Sequence, residues 1–144
     1  MLERAIIADD LTGALDAAAP FAMRGIPTAV ALNADALPKA IATGARVVGV
    51  STDSREIAPE AARVAVRRAL AGLPADIALF KKVDSRLKGN IAAELDPIPH
   101  RRSLVVPAIP AFGRWMKAGM LGGFGVTTPI DVAARLGTHA GKAI

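Results

Sequence analysis

The sequence predicts an α/β domain of the Rossmann-like type, with three layers and a mainly parallel sheet. Two observations lead to this fold class. Short apolar runs that resemble buried strands alternate with segments of helical spacing, which is typical of βαβ units. Polar residues or glycines follow most of these runs, as expected where parallel strands end at the edge of an open sheet.

The predicted strands are short and consist mainly of Ala, Val, Ile and Leu. Right-handed crossover connections place the ends of parallel strands along one edge, so the segments that follow the strands are expected to lie together. The predicted strands are residues 5–8, 27–32, 47–50, 76–80 and 104–106.

Helices are predicted at residues 12–24, at Pro59–Ala71 and at Ile91–Leu95. Leu11 and Leu15 are expected on the buried side of the first helix because they follow helical spacing. In the second helix, proline suits the first position, and the glycine that follows suits the end. Its arginines are predicted to form a solvated face instead of a nucleic-acid site. They are Arg63, Arg67 and Arg68.

Composition and charge favour one compact domain with a small anionic ligand. The 144-residue chain carries a formal charge of +5 and has a pI of about 10.2, which favours an anionic partner. It has one Trp, four Phe and no Tyr, too few aromatic rings for base stacking, so no nucleic-acid partner is expected. Because the chain has no Cys and no apolar run of about 18 residues, we expect a soluble, cytoplasmic protein without a membrane partner.

Residues 80–90 contain the most informative segment, FKKVDSRLKGN, between a predicted strand and a predicted helix. It combines cations, a carboxylate, a hydroxyl and a glycine, which indicates a polar binding site. Gly89 permits close approach of the backbone to a ligand, and Asn90 is expected to cap the next helix. The alternative is a solvated loop, since charged residues are mostly exposed.

Familiar metal and phosphate motifs are missing from the sequence. His100 and His139 are the only histidines and lack metal-binding spacing, so no metal site is predicted. Residues 137–142 are one residue too short for a P-loop, and the glycine-rich residues 119–125 are predicted to form a flexible turn. The adjacent pair Asp9-Asp10 lacks the alternation of an aspartyl phosphatase.

Four ordered motifs, each expected near a strand end, resemble the four-carbon acid sugar kinase family. The resemblance implies the N-terminal, sugar-acid-binding domain of an ATP-dependent kinase for threonate, erythronate or oxo-tetronate, a phosphotransferase with an alcohol acceptor. The motifs are IADDLTGA at residues 7–14, TDSR at 52–55, KKVDS at 81–85 with KGN at 88–90, and PAIP at 107–110 with GR at 113–114.

The resemblance implies a substrate site in which cations hold the acid and polar side chains hold its hydroxyls. Arg55 and either Lys82 or Lys88 are expected to bind the carboxylate. Ser85 and Asn90 are expected to bind hydroxyls. Asp9 and Gly89 are further expected contributors to this site.

Phosphoryl transfer also needs a group that accepts or orients the hydroxyl proton. Asp10 or Asp84 is the candidate for this role, and Arg114 is the candidate that faces the transferring phosphate. Capping of the first helix is the alternative for Asp9 or Asp10. Lys81 is predicted to lie at the end of a strand, with its side chain in solvent instead of in contact with a ligand.

The sequence departs from the family pattern in two places and in its extent. Lys88 stands where the family often has arginine, which loses bidentate geometry toward a carboxylate. Arg86 stands where a small hydroxyl residue is common. The family's ATP and Mg²⁺ site belongs to a C-terminal domain absent from residues 1–144, so it would have to come from the full-length protein or another chain. This chain alone is expected to be inactive; a non-catalytic binding module or a truncated remnant is the alternative.

Overall fold

The computed structural model describes residues 1–141, so Lys142 of the P-loop-like segment lies outside the described residues. Within this range no helix is both long enough and apolar enough to cross a bilayer. The helices and strands in chain order are β1 (Arg4–Ala8), α1 (Leu11–Ala22), β2 (Thr28–Ala31), α2 (Leu37–Ala42), β3 (Val47–Ser51), α3 (Pro59–Ala71), β4 (Ala78–Lys82), α4 (Ile91–Leu95), β5 (Arg114–Lys117), β6 (Met120–Gly123), β7 (Val126–Asp131) and α5 (Val132–Leu136).

A four-stranded parallel sheet confirms the predicted fold class. Its strand order is β2-β3-β1-β4, so β1 is central and β4 forms one edge. β4 begins and ends two residues later than predicted. Lys81 and Lys82 therefore belong to the strand and not to the loop that follows it.

Helices cover both faces of this sheet. Ile7, Val48 and Val50 are buried on one face with side chains of α2 and α3, while Ile6 and Val47 are buried on the other with α1. Successive strand residues point to opposite faces, which explains why neighbours such as Ile6 and Ile7 join different clusters. The resulting order is helix, sheet, helix, as the sequence predicts.

Helix α1 lies close to the sheet because its buried side is made of small residues. Ala14 and Ala18 are buried, and a methyl group on Gly49 of β3 would lie 3.5 Å from the Ala14 carbonyl oxygen. Leu11 is 37% exposed and Leu15 is 50% exposed, so the prediction that these two leucines are buried was wrong. Spacing alone did not show that the larger residues would be excluded from the narrow contact.

Residues 104–106 do not form the predicted strand. Leu104 and Val106 are largely exposed, and only Val105 packs into a core cluster, with Leu87 and Ile91 among its members. The next residue is a proline, which has no amide hydrogen to donate to a ladder. The parallel sheet therefore contains the other four predicted strands, as β1 to β4.

A second, antiparallel sheet of β5, β6 and β7 contains the glycine-rich segment. The prediction of a flexible turn was therefore wrong for Met120–Gly123, which forms β6. Trp115 is the register partner of Gly122, and a methyl group on this glycine would collide with the indole ring. The missing side chain makes room for the tryptophan and allows the strand to pair.

Candidate functional site

The carboxyl ends of three parallel strands bring the predicted site residues together. Ala8 at the end of β1 is in register with Ser51 of β3 and with Lys82 of β4. The residues that follow these three positions therefore leave the sheet side by side. This geometry confirms that the polar segments after β1, β3 and β4 share one edge.

Arg55 is the centre of a cluster of three aspartates at this edge. Its Nε and Nη2 donate to the two carboxylate oxygens of Asp9 at 2.8 and 3.0 Å. Its Nη1 lies 2.8 Å from Asp10 Oδ2 and 3.7 Å from Asp84 Oδ1. The hydrogen bonds to Asp9 raise the pKa of Arg55, against the opposing effect of burial. The guanidinium group thus holds the three carboxylates together.

The two aspartates after β1 have different surroundings. Asp9 is buried, with 2% of its side chain exposed, and pairs with Arg55. Asp10 is more open, and its Oδ1 accepts a hydrogen bond from the Gly13 amide at 2.8 Å, so it caps α1. The capping alternative is therefore confirmed for Asp10, whose other oxygen still faces Arg55.

Asp84 organises the loop that follows β4. Its Oδ2 accepts hydrogen bonds from the backbone amides of Arg86 at 2.8 Å and Lys88 at 3.2 Å. Burial raises the pKa of Asp84, but these amides and the charge of Arg55 outweigh it, so the pKa lies below its ordinary value. Asp84 is therefore a carboxylate stabilised in its ionised form.

Gly89 and Asn90 connect this loop to the segment after β3. Gly89 has φ +83°, and a methyl group there would lie 3.2 Å from Arg55 Cγ. Asn90 occupies the predicted N-cap position of α4, which begins at Ile91, but its side chain makes no capping hydrogen bond. Its Nδ2 instead donates to the carbonyl oxygens of Ser54 at 2.9 Å and Ile57 at 2.7 Å. Gly89 and Asn90 thus both contact the segment that carries Arg55 and help to fix its position.

Three further predicted residues lie near the cluster without joining it. Lys82 Nζ donates to the Val83 carbonyl at 2.6 Å, and the Lys88 side chain is exposed. Lys82, Asp84 and Ser85 line a cleft of about 940 Å³ between β4 and residues 102–109. Lys82 and Ser85 thus border open space next to Asp84.

Arg114 does not follow a parallel strand as predicted, because it is the first residue of β5 in the other sheet. It is 6% exposed. Its Nη1 donates to the Ser85 carbonyl at 2.9 Å, and its Nη2 donates to the Phe124 carbonyl at 2.8 Å. The guanidinium group therefore ties the loop after β4 to the antiparallel sheet.

Sequence reasoning missed a buried polar group behind the cluster. Lys81 was expected to be solvated, but its side chain is 9% exposed and its Nζ lies 2.7 Å from Glu94 Oε2. Glu94 Oε1 accepts a hydrogen bond from Ser54. Strand alternation offered a signal, because Lys81 shares a face with Leu79, which is partly buried against the core. Glu94 offered another, as the one charged residue of α4.

The sequence profile of the sugar-binding N-terminal domain family matches residues 4–129. The chain belongs to this family. It is 44% identical over 119 residues to a D-threonate kinase of Cupriavidus necator and 38% identical over 123 residues to a D-erythronate kinase of Heliobacterium modesticaldum. Each alignment covers 81% of this chain and 28% of the kinase. The chain thus matches a little over a quarter of each of these four-carbon acid sugar kinases.

The fold of this family is also seen in a crystal structure from Bordetella bronchiseptica, described as a domain of unknown function with bound citrate in a domain-swapped dimer. This chain superimposes on it with a TM-score of 0.71 and 35% sequence identity. The superposition covers 83% of this chain and 32% of that one. The likeness supports the parallel sheet and its flanking helices as the family fold.

Proposed function

We propose that this chain is the sugar-acid-binding part of an ATP-dependent kinase that phosphorylates a hydroxyl of a four-carbon sugar acid. The observation that carries the proposal is the cluster of Asp9, Asp10 and Asp84 around Arg55 at the ends of parallel strands. The relatives named above act on D-threonate and D-erythronate, and a further relative is a 3-oxo-tetronate kinase. Citrate in the B. bronchiseptica structure supports an anionic ligand.

The acid's carboxylate is assigned to Lys82 and Lys88, with Arg55 as a contributor. Three carboxylates already surround Arg55, so most of its donors are engaged. Lys82 lines the cleft, and Lys88 is an exposed residue of the loop that follows β4. A lysine has three donors, and the structure shows one bond from Lys82 Nζ, to Val83. The Lys82 ammonium group therefore has further donor hydrogens that can bind a ligand.

The hydroxyls of the acid are assigned to side chains with free acceptor or donor capacity. Ser85 contributes its hydroxyl, and its position is fixed by Arg114 through the Ser85 carbonyl. Asn90 contributes its Oδ1, because both bonds of its Nδ2 go to the backbone. Arg114 is thus assigned to positioning Ser85, in addition to the expected contact with a phosphate.

Asp10 is the better candidate for accepting the hydroxyl proton. Asp84 accepts two backbone hydrogen bonds on one oxygen and has a lowered pKa, which makes it a weaker base. Asp10 is the more exposed of the two, at 27% against 14% of the side chain. Asp84 is assigned to orienting the hydroxyl, and Asp9 and Gly89 to holding Arg55.

The described residues do not fit an ATP and Mg²⁺ site. The Gly13 amide at the start of α1 donates to Asp10 and is therefore not available to a phosphate group. The glycine-rich residues 120–123 form β6, which pairs with β5 and β7 and does not form a phosphate-binding loop. Across residues 1–141 no group of three or more potential ligands could hold a metal ion. We therefore assign to this chain the binding and orientation of the acceptor and the acceptance of its hydroxyl proton, but not the binding of ATP. The nucleotide is assigned to the part of these kinases that the chain does not span, present in the same polypeptide or supplied by another.

Isothermal titration calorimetry of the chain with D-threonate, D-erythronate and 3-oxo-tetronate tests the proposal. Threitol, which lacks the carboxylate, and succinate, which lacks hydroxyls, are the matched control ligands. We expect at least one sugar acid to bind more tightly than both controls, and Asp10→Asn to weaken that binding while the exposed Asp76→Asn does not. Affinities for the sugar acids that do not exceed those for the two controls would refute the proposal.

A further inference from the structure

We propose that Glu94 is a positioning residue that fixes Arg55 through Ser54. Glu94 is 1% exposed although it carries a carboxylate. Its Oε1 accepts a hydrogen bond from Ser54 Oγ at 2.5 Å, and its Oε2 lies 2.7 Å from Lys81 Nζ. The contact with Lys81 is an ion pair by distance, without the alignment of a hydrogen bond. Helix α4, β4 and the segment after β3 thus meet at one buried carboxylate.

Ser54 is the residue through which this carboxylate acts. It is fully buried, and each of its polar groups is engaged. Its hydroxyl donates to Glu94, its amide donates to the Asp9 carbonyl at 2.9 Å, and its carbonyl accepts from Asn90 at 2.9 Å. Because Arg55 is the next residue, a shift of Ser54 moves the guanidinium group relative to Asp9.

The hydrogen count sets the direction of the bonds behind the cluster. As the partner of the Lys81 ammonium group, the Glu94 carboxylate only accepts, so it takes the single hydroxyl hydrogen of Ser54. The 2.6 Å contact between Thr52 and Ser54 must then be donated by Thr52, so its single hydroxyl hydrogen is not available to the Ala8 carbonyl 2.9 Å away. The backbone amide of Thr52 donates to that carbonyl at 2.9 Å and links the end of β1 to these bonds.

The backbone of this segment needs such an anchor. Asp53 has φ +48°, a left-handed conformation that is unfavourable for a residue other than glycine and persists only where its surroundings enforce it. Ser54 immediately follows and is held by β1 and α4 together. Glu94 therefore acts on the site through geometry, without touching a ligand.

The test uses two variants of the 144-residue chain. Ser54→Ala removes the hydroxyl and leaves all charges in place. Lys81→Met combined with Glu94→Leu removes the acceptor without leaving a lone buried charge, a replacement that folded proteins tolerate. Asp35→Leu with Arg68→Met, which removes an exposed ion pair, is the matched control. Urea unfolding establishes that each variant is folded.

Two readouts separate positioning from a merely structural role. In the folded variants we expect the Arg55 Nε–H signal in NMR spectra to shift and to exchange faster with solvent, because its bond to Asp9 is loosened. We also expect about a tenfold loss of D-threonate affinity by calorimetry, the effect of one charge-assisted bond, while the control is unchanged. An unaltered Arg55 signal in both folded variants would overturn the inference.

The affinity readout rests on the proposed function, whereas the NMR readout does not. If the unaltered chain binds none of the sugar acids, the proposed function fails and the Arg55 signal still decides the role of Glu94. If the acid binds equally well to both variants while the Arg55 signal shifts, Glu94 positions Arg55 but not the ligand, which overturns the functional part.

Discussion

Gly89 lies so close to Arg55 that a methyl group on the glycine would be 3.2 Å from Arg55 Cγ and 3.3 Å from its Cα. Glycine therefore serves two purposes at this position. It adopts φ +83°, and it leaves room for the backbone of the segment after β3. The missing side chain lets the loop that carries Asp84 approach Arg55 without displacing it.

We expect Gly89→Ala to destabilise the fold more than Gly44→Ala does. Gly44 has φ +79° with nothing within 4 Å of the added methyl group, so it shows the cost of the backbone conformation alone, about 1–2 kcal/mol. Gly89→Ala adds the contact with Arg55 and should cost about 1 kcal/mol more. Urea unfolding measures both, and equal costs would show that the contact relaxes freely.

Replacing Arg55 with alanine should weaken sugar-acid binding more than Arg67→Ala does. Arg55 holds three aspartates, whereas Arg67 lies on the exposed side of α3. We expect a loss of about 1.5–3 kcal/mol in the binding free energy for Arg55→Ala, measured by calorimetry with D-threonate. The same change should also lower the free energy of unfolding by about 3–5 kcal/mol, because Asp9 stays buried without its partner. Matching affinities of the two variants would contradict the assignment.

Lowering the pH should show how much the ionised Asp84 carboxylate contributes to the free energy of unfolding. Its pKa in the folded chain lies below the ordinary value of 3.8, so its contribution is present above that value and is lost as the pH falls through the folded-state pKa. Between about pH 5 and pH 3, Asp84→Asn should therefore lose less stability than the unaltered protein. Urea unfolding across this range measures the slope. Asp76→Asn, at an exposed position, is the control and should keep the original slope.

The 144-residue chain should bind a sugar acid without transferring phosphate from ATP. The described residues offer acceptor-binding groups but no cradle for the β- and γ-phosphates, and phosphoryl transfer depends mostly on positioning and electrostatics. A coupled assay for ADP release with D-threonate, D-erythronate and 3-oxo-tetronate measures this. Turnover that depends on the acid, by the purified chain alone, would reveal a nucleotide site within it.

Helix α3 shows how far local sequence determines this fold. Its predicted bounds, Pro59–Ala71, are those of the structure, and its buried side is made of Ala62, Val66 and Ala69. Such a helix depends on spacing and end signals that lie within a few residues of each other. Strands β1 and β3 were similarly predictable, because a continuous apolar run is buried on both faces.

Residues 104–106 and 120–123 show where local sequence was not sufficient. The first segment is apolar but unpaired, and the second is rich in glycine but forms β6. Pairing of a strand depends on a partner that is distant in the chain. For β6 that partner is β5, whose Trp115 occupies the space above Gly122.

The sequence by itself determined the fold class, the family and the edge of the sheet at which Asp10, Arg55 and Asp84 meet. Strand polarity is enough for this, because the residues that follow parallel strands must leave the sheet at one edge. Only the tertiary structure decided how the charges pair. It paired Asp9 with Arg55 and buried Lys81 against Glu94. These choices depend on side-chain distances between elements that are far apart in the chain, which spacing along the sequence does not specify.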